Sequence, residues 1–389
     1  MTPDPTGHSP LGASGAYRWM PCPGSVRLSY GIEDEESEYA SLGTAAHALG
    51  ESCLTLGEDA WEWLGQIAGL PGTENEVDKD MADAVQVYLN AVRSVAVDRH
   101  QGNFWVEKEF HCPEIHEYMW GKADAVYWDE PNRTLHLWDY KHGIGISVDV
   151  QEDPQTMDYS AGIMQVLNLW DVVDKVVLHI VQPRGFHFDG PVRSWSVSTE
   201  DLIKWVDGIL VPAMDRPEFD MSTKSGDHCR FCPARTHACP QLLKDMDELE
   251  ELMLILDKKD SAAELTNAQV GRFLDLFEVA KIVGKAADET AYARLQAGKK
   301  VPGRKLVKAT KHRAWKDGAE AKLKKHFGEA AMTEPKLRSP NQIEELIKGA
   351  EFTARYAFKP DGGVTVVAES NKKPAVVRDM QKLFKDAAK

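Results

Sequence analysis

The chain has 389 residues, of which 43% are hydrophobic and 28% charged, and its formal net charge is −15. That length allows two or three domains with a core that needs no disulfide staples, and the composition excludes wholesale disorder. No apolar run reaches the roughly 18–20 residues that span a bilayer, and the polar, Pro-rich start does not read as a signal peptide, so the expectation is a soluble, cytoplasmic protein without a membrane partner.

Two segments lie ahead of the first expected strand. A helix is predicted from about Leu42 to Leu56, with Ser41 as N-cap and Gly57 as stop. Residues 57–100 read as helical, with Trp61, Trp63, Leu64 and Ile67 as apolar anchors and Met81 to Val97 as an amphipathic stretch. The texture then changes. Runs 104–110, 118–128 and 134–141 read as strands, parted by Pro113 and by Glu130-Pro131-Asn132. A helix is predicted from Pro154 to Val172, because Asp153 suits an N-cap and Pro154 the first helical position. Strands at Lys175 to Gln182 and 192–197 follow, then a helix from Thr199 to about Met214. This order implies an α/β fold with a mixed sheet. Residues 221–240 are Cys-rich and irregular, a long helix is expected from Asn267 to Gln296, and short strands are expected near 351–358 and 364–368. The division is drawn at 245, giving residues 1–245 and 246–389.

The sharpest constellation is Gly121-Lys-Ala-Asp124 with Trp138-Asp139-Tyr140-Lys141. Partners across an antiparallel hairpin keep a constant index sum, so a turn centred on Pro131-Asn132 sets Asp124 opposite Asp139 if no bulge intervenes. Facing carboxylates repel unless a cation lies between them. Lys141, two residues on, projects from the face of Asp139. Two carboxylates and a lysine suit hydrolysis assisted by Mg²⁺ or Mn²⁺, in which the metal activates water and the lysine positions it. The plainer alternative is a structural Asp–Lys ion pair at a strand end.

Cys229-x₂-Cys232-x₆-Cys239 places three thiols within eleven residues, a spacing that suits a soft metal. A closed site needs a fourth ligand, for which Cys22 is preferred and His228 and His237 are rivals. Cys53 and Cys112 read as plain thiols.

The carboxylate motif resembles the PD-(D/E)XK nuclease superfamily in its RecB-like iron–sulfur branch, over about residues 14–242. Ala123 stands where the superfamily often has Pro. The resemblance extends to Gly43-Thr-Ala-Ala-His47, to the Gln155/Tyr159 pair and to Ala13-Ser14 through Arg18-Trp19 to Cys22-Pro23-Gly24-Ser25, a pattern of an uncharacterised phage and prophage group. It implies a restriction-endonuclease-like core of mixed sheet flanked by helices, with a Cys-rich iron–sulfur subdomain and a basic α+β C-terminal region. It implies His47, Asp124, Asp139 and the Tyr140 carbonyl as metal ligands, Lys141 as the water-positioning residue, and Gln155 and Tyr159 beside DNA. Cys22, Cys229, Cys232 and Cys239 would hold a [4Fe–4S] cluster, with zinc as the alternative. The implied activity is a metal-dependent deoxyribonuclease, favoured as an exonuclease, while the residues themselves leave endo- against exo-action open. It would serve phage-type recombination, replication or end resection in a bacterial or phage-infected cell, next to a single-strand-annealing or single-strand-binding protein. A non-catalytic DNA-end-binding scaffold with the same fold is the rival, and a homo-oligomer is compatible with either.

Charge is split along the chain. Residues 299–389 hold 22 Lys/Arg and 11 Asp/Glu, whereas residues 1–298 hold 24 and 50. Lys305, Lys308 and Arg313 in the basic stretch are candidate phosphate contacts, with docking onto the acidic portion as the alternative.

Overall fold

The computed structural model describes residues 9–32, 38–97, 102–237, 239–259, 265–308, 314–316, 318–333, 336–337, 340, 343, 355–358 and 364–368. The chain divides into two compact units, residues 1–282 and 283–389.

The first unit opens with the short helices Ala16–Trp19 and Gly24–Ser29. Helix α1, Glu38–Leu56, follows and ends at Gly57, whose φ of +79° only glycine adopts readily. It starts before Ser41, the expected cap. Residues 57–78 are not the expected helix. Ala60–Trp63 is a single 3₁₀ turn, and Ile67–Ala68 pairs antiparallel with Asn75–Glu76. Gly65, Gly69 and Gly72 all take positive φ there, which breaks a helix regardless of apolar spacing. Trp61, Leu64 and Ile67 are exposed, so of the expected anchors Trp63 alone packs against a core.

Helix α2 is Lys79–Val95, capped by the Asp78 carboxylate, which accepts from the Met81 N–H. Strands β1 (Phe104–His111), β2 (Trp120–Asp129) and β3 (Thr134–Tyr140) form an antiparallel meander. Helix α3, Pro154–Val166, is capped by Asp153 as the sequence predicts. It stops six residues before Val172, because Asn168 turns into the left-handed region (φ +52°) just past the C-cap Leu167. Strand β4, Lys175–Val181, then lies parallel to β3, and β5, Val192–Ser198, returns antiparallel at the edge. The result is a five-stranded mixed sheet in chain order β1 to β5.

Helices cover both faces. Ala45, Ala46 and Leu49 of α1 and Met81, Val85 and Leu89 of α2 join Ala125, Tyr127, Trp138 and Tyr140 in one core cluster. Met157, Ile163 and Met164 of α3 join Val126, Leu135, Leu137, Val176 and Leu178 in the other, with Leu11 and Trp19 from the N-terminal segment. Burial of each such side chain is worth about 1.5–3 kcal/mol, so the layers hold each other in place without cross-links.

Ser198, not Thr199, caps the next helix, its hydroxyl accepting the Asp201 N–H. Helix α4, Thr199–Trp205, continues through one π turn, Val206–Leu210, into Val211–Asp215. After irregular 3₁₀ turns, α5 spans Pro240–Lys259 and α6 spans Asn267–Gln296, ended by Gly298 at φ +75°. Residue 245 thus lies inside α5. Buried Asp245 and partly exposed Glu248 of that helix both pair with Arg272 of α6.

In the second unit, β6 (Arg304–Lys308) pairs antiparallel with Val364–Ala368. The other short strand, Ala357–Phe358, pairs with Ala314–Trp315, while residues 351–354 lie outside the described residues. Among the described residues no helix is long and apolar enough to cross a membrane.

Candidate functional site: two carboxylates, a lysine and a histidine at the sheet

The β2–β3 register runs Asp129↔Thr134 to Ala125↔Trp138 without a bulge, so the index sum places Asp124 next to Asp139 as the next pair. The ladder gives way there to a side-chain contact. The Asp124 Oδ2 accepts the Tyr140 N–H at 2.7 Å, and its Oδ1 lies 3.5 Å from His47 Nδ1. Both aspartates share the strand parity of Val126 and Leu137, which face α3, whereas His47 comes from α1 on the other layer. The site therefore draws on both helical layers at once.

Asp139 is 2% exposed and belongs to a polar chain. Lys141 Nζ lies 2.9 Å from its Oδ2 and donates to its Oδ1 at 3.1 Å. The same ammonium donates to Gln155 Oε1 at 2.7 Å. Gln155 Nε2 in turn reaches Asp139 Oδ1 at 3.1 Å and the Tyr159 hydroxyl at 3.0 Å. Gln155 and Tyr159 sit one turn apart on α3, the face that meets the end of β3. Lys141 is anchored by its own N–H on the Val181 carbonyl, across the parallel β3–β4 pair.

Burial pushes the Asp139 carboxyl up to about 6, with the Asp124 charge adding to it against the pull of Lys141. Burial would lower His47, but the Asp124 carboxylate, with Glu107 and Asp139 behind it, raises it overall. The His47 side chain is 35% exposed, so solvent screens part of that pull. Asp124, although desolvated, is held below the ordinary carboxylate range by His47 and the Tyr140 N–H. A protonated imidazole thus stands where a cation is favoured, and a divalent ion binding there would displace its proton. Tyr140 packs its ring 5.4 Å from His47 and 5.1 Å from Tyr88, and its hydroxyl meets His142 Nδ1 at 2.8 Å.

One residue of this site escaped the sequence reading. Glu107 on β1 brings a carboxylate oxygen to the same place, so that ligand atoms of His47, Glu107 and Asp124 all lie within 4.8 Å of one another. Its register explains why. The β1–β2 ladder steps from Val106↔Ala125 to Lys108↔Ala123, leaving Glu107 opposite Asp124, at φ +49°. The index-sum argument used for Asp139 finds Glu107 too when applied to the preceding strand pair, but that connection has no compact turn from which to count.

The cysteines converge as a separate group. Cys22, Cys229, Cys232 and Cys239 line one small cavity together with His228, Ser25 and Arg235. All four are free thiols. The Lys224 N–H donates to Cys22 Sγ at 3.4 Å, and the Gly24 N–H donates to the Ser222 carbonyl at 2.9 Å. A Cβ on Gly24 would stand 2.6 Å from the Met221 carbonyl oxygen, so glycine is what lets the Cys22 and 221–224 segments close on each other. Burial pushes the Cys229 thiol up to about 11 and the Cys22 thiol up as well, so both are protonated near neutrality. Of the rival ligands, His228 lines the cavity but hydrogen-bonds the Lys224 carbonyl at 2.7 Å, and His237 is not among the lining residues. Cys53 and Cys112 are buried in the layers away from this group.

Of the basic candidates, Lys305 and Lys308 stand on β6, whose Leu306 and Val307 are buried, and Lys308 is exposed. Arg313 lies outside the described residues.

Residues 8–374 match the family described as "Protein of unknown function (DUF2800)". The chain belongs to that family. The matched range covers the residues of the carboxylate site, the thiol cavity and β6. A solved structure titled "Crystal structure of SSO0001" is similar at 11% identity over 58% of this chain and 96% of that one, with a TM-score of 0.23, a likeness too slight to bear on the fold.

Proposed function

We propose that this protein is a metal-dependent DNA nuclease, an exonuclease of the RecB-like PD-(D/E)XK kind acting on ends in phage-type recombination, replication or resection. The observation that carries the reading is the Asp139–Lys141–Gln155–Tyr159 chain lying beside the His47–Asp124 pair, with the two aspartates on one hairpin. A structural ion pair needs the aspartate and the lysine, but not a second buried carboxylate and a histidine brought from another layer.

The residues fit a divalent cation. Asp139 Oδ2 is a buried oxygen set against the Lys141 ammonium at 2.9 Å, and Asp124 aims its Oδ1 at an imidazole nitrogen. His47, Asp124 and Asp139, with the Tyr140 carbonyl, would hold Mg²⁺ or Mn²⁺. Such an ion supplies a bound water of lowered pKa and a counter-charge for the phosphate. Lys141, fixed from two sides by Asp139 and Gln155, holds its ammonium where it can orient a water or neutralise a phosphate oxygen. Gln155 accepts one further N–H of that ammonium, and the Tyr159 hydroxyl accepts from Gln155. The four thiols suit a soft metal, and we assign them to a [4Fe–4S] cluster, with zinc as the alternative. In either form it would tie the N-terminal segment to the 229–239 loop.

The test incubates anaerobically purified protein with end-labelled linear and circular DNA, single- and double-stranded, plus Mg²⁺ or Mn²⁺. The expected result is loss of linear DNA alone, slowed by at least ~10²-fold in Lys141→Ala. Cleavage of circles would make it an endonuclease. No cleavage, with visible sulfur-to-iron absorbance intact, would overturn the enzyme and favour a DNA-end-binding scaffold.

A further inference from the structure

We infer that Glu107, on the edge strand β1, is a ligand of the divalent cation, completing a site with His47 and Asp124, and that Lys122 holds its place when the cation is absent. The inference deepens the nuclease reading and rests on it only for the identity of the reaction, not for the site.

One ligand atom each from His47, Glu107 and Asp124 lies within 4.8 Å of the other two, close enough for small side-chain shifts to bring all three onto a single ion at bond lengths of about 2.0–2.3 Å. The three come from separate elements: α1, the edge strand and the strand next to it. Nothing local in the chain forces that meeting. Two carboxylates facing each other across a ladder repel, and both are poorly hydrated: Asp124 is 9% exposed and the Glu107 side chain 11%. Such a pair is retained at a cost unless a positive charge comes between its members.

Charge counting then separates the carboxylates. Asp139 already has Lys141 at 2.9 Å and Gln155 at 3.1 Å. Asp124 has the His47 imidazole and one backbone N–H. Glu107 has Lys122 at 2.6 Å, and that lysine side chain is 49% exposed. An ion pair with so exposed a lysine is weak, so a divalent ion can take its place at little cost. With Lys141 already balancing the charge of Asp139, the carboxylates of Asp124 and Glu107 and a neutral imidazole match a doubly charged ion, to which Asp139 remains a further ligand. The mixed oxygen and nitrogen set favours Mn²⁺ over Mg²⁺, since an imidazole suits the transition ion better.

The test is Mn²⁺ binding to the full chain, followed by the loss of the free-ion paramagnetic resonance signal, with no DNA present. Glu107→Gln keeps the shape and removes the charge, and it is expected to weaken binding at least tenfold. Lys122→Met frees Glu107 and is expected to tighten binding several-fold. Asp124→Asn serves as the reference for a lost ligand. Wild-type affinity in Glu107→Gln, with Asp124→Asn weakened, would overturn the inference and leave the nuclease reading standing. Tight binding that depends on Glu107 in a protein that cuts no DNA would do the reverse. Should Glu107→Gln misfold, unchanged or weaker binding by folded Lys122→Met would still overturn it.

Discussion

Single buried groups set much of the chemistry of this chain. Asp158, inside α3, is 1% exposed, and its Oδ2 has no hydrogen-bond partner. Burial pushes its carboxyl up to about 8, so it is protonated at neutral pH. A carboxyl whose folded pKa is raised contributes its stability fully below the unfolded value near 3.8 and loses it as pH rises through the folded value. Asp158→Asn removes that dependence. The variant is expected to be more stable than wild type by about 1–3 kcal/mol at pH 8, and to converge with it near pH 4, in urea titrations at the two pH values. An equal gap at both would show that ionisation is not the cause. The contrast with Asp139 is instructive, because both are buried and only Asp139 has a lysine. The sequence marks that difference through Lys141 two residues on, whereas nothing near Asp158 announces that it lies in a core.

At the scale of elements, α3 matters most, since it presents Gln155 and Tyr159 to the end of β3. Its approach to the sheet depends on Gly162, where a Cβ would stand well inside van der Waals contact of the Phe110 ring of β1. Phe110 also meets the Tyr159 ring edge-on at 6.1 Å, so any shift of that ring is passed to the residue that holds Gln155. Gly162→Ala is expected to destabilise the fold by ~1–3 kcal/mol despite the better helix propensity of alanine. Urea unfolding would measure it, and a stabilised variant would show that α3 can retreat freely. The sequence made this helix legible through its cap at Asp153 and proline at 154, but overran its end, since a left-handed asparagine reads like any polar residue. The same limit hid the hairpin at residues 67–76. There the apolar spacing is helical, and only the glycines and Pro71 speak against it.

Across the whole molecule, charge is divided. Residues 1–298 carry 26 more acidic than basic side chains, and residues 299–389 carry 11 more basic than acidic ones. A DNA-binding reading of the basic portion predicts that neutralising phosphates releases counterions. Lys305→Glu with Lys308→Glu should therefore lower the slope of log affinity against log salt by about 1.4–1.8 for DNA bound to the full chain. An unchanged slope would place the DNA contacts elsewhere and leave β6 to another partner.

The sequence by itself determined the elements around the site and one relation between them. Strand alternation, the turn at Pro131-Asn132 and the N-cap at Asp153 are local properties, and a hairpin without a bulge converts two positions into a facing pair by counting. The spacing of three cysteines within one loop is local in the same sense. Only the tertiary structure decided what meets the hairpin from a distance. His47 arrives from the opposite helical layer, Glu107 from the edge strand at a positive φ, and Cys22 from the N-terminal segment through the gap that Gly24 leaves. Those meetings depend on how layers pack, and packing is the sum of many weak contacts between residues far apart in the chain. No spacing rule can count across it.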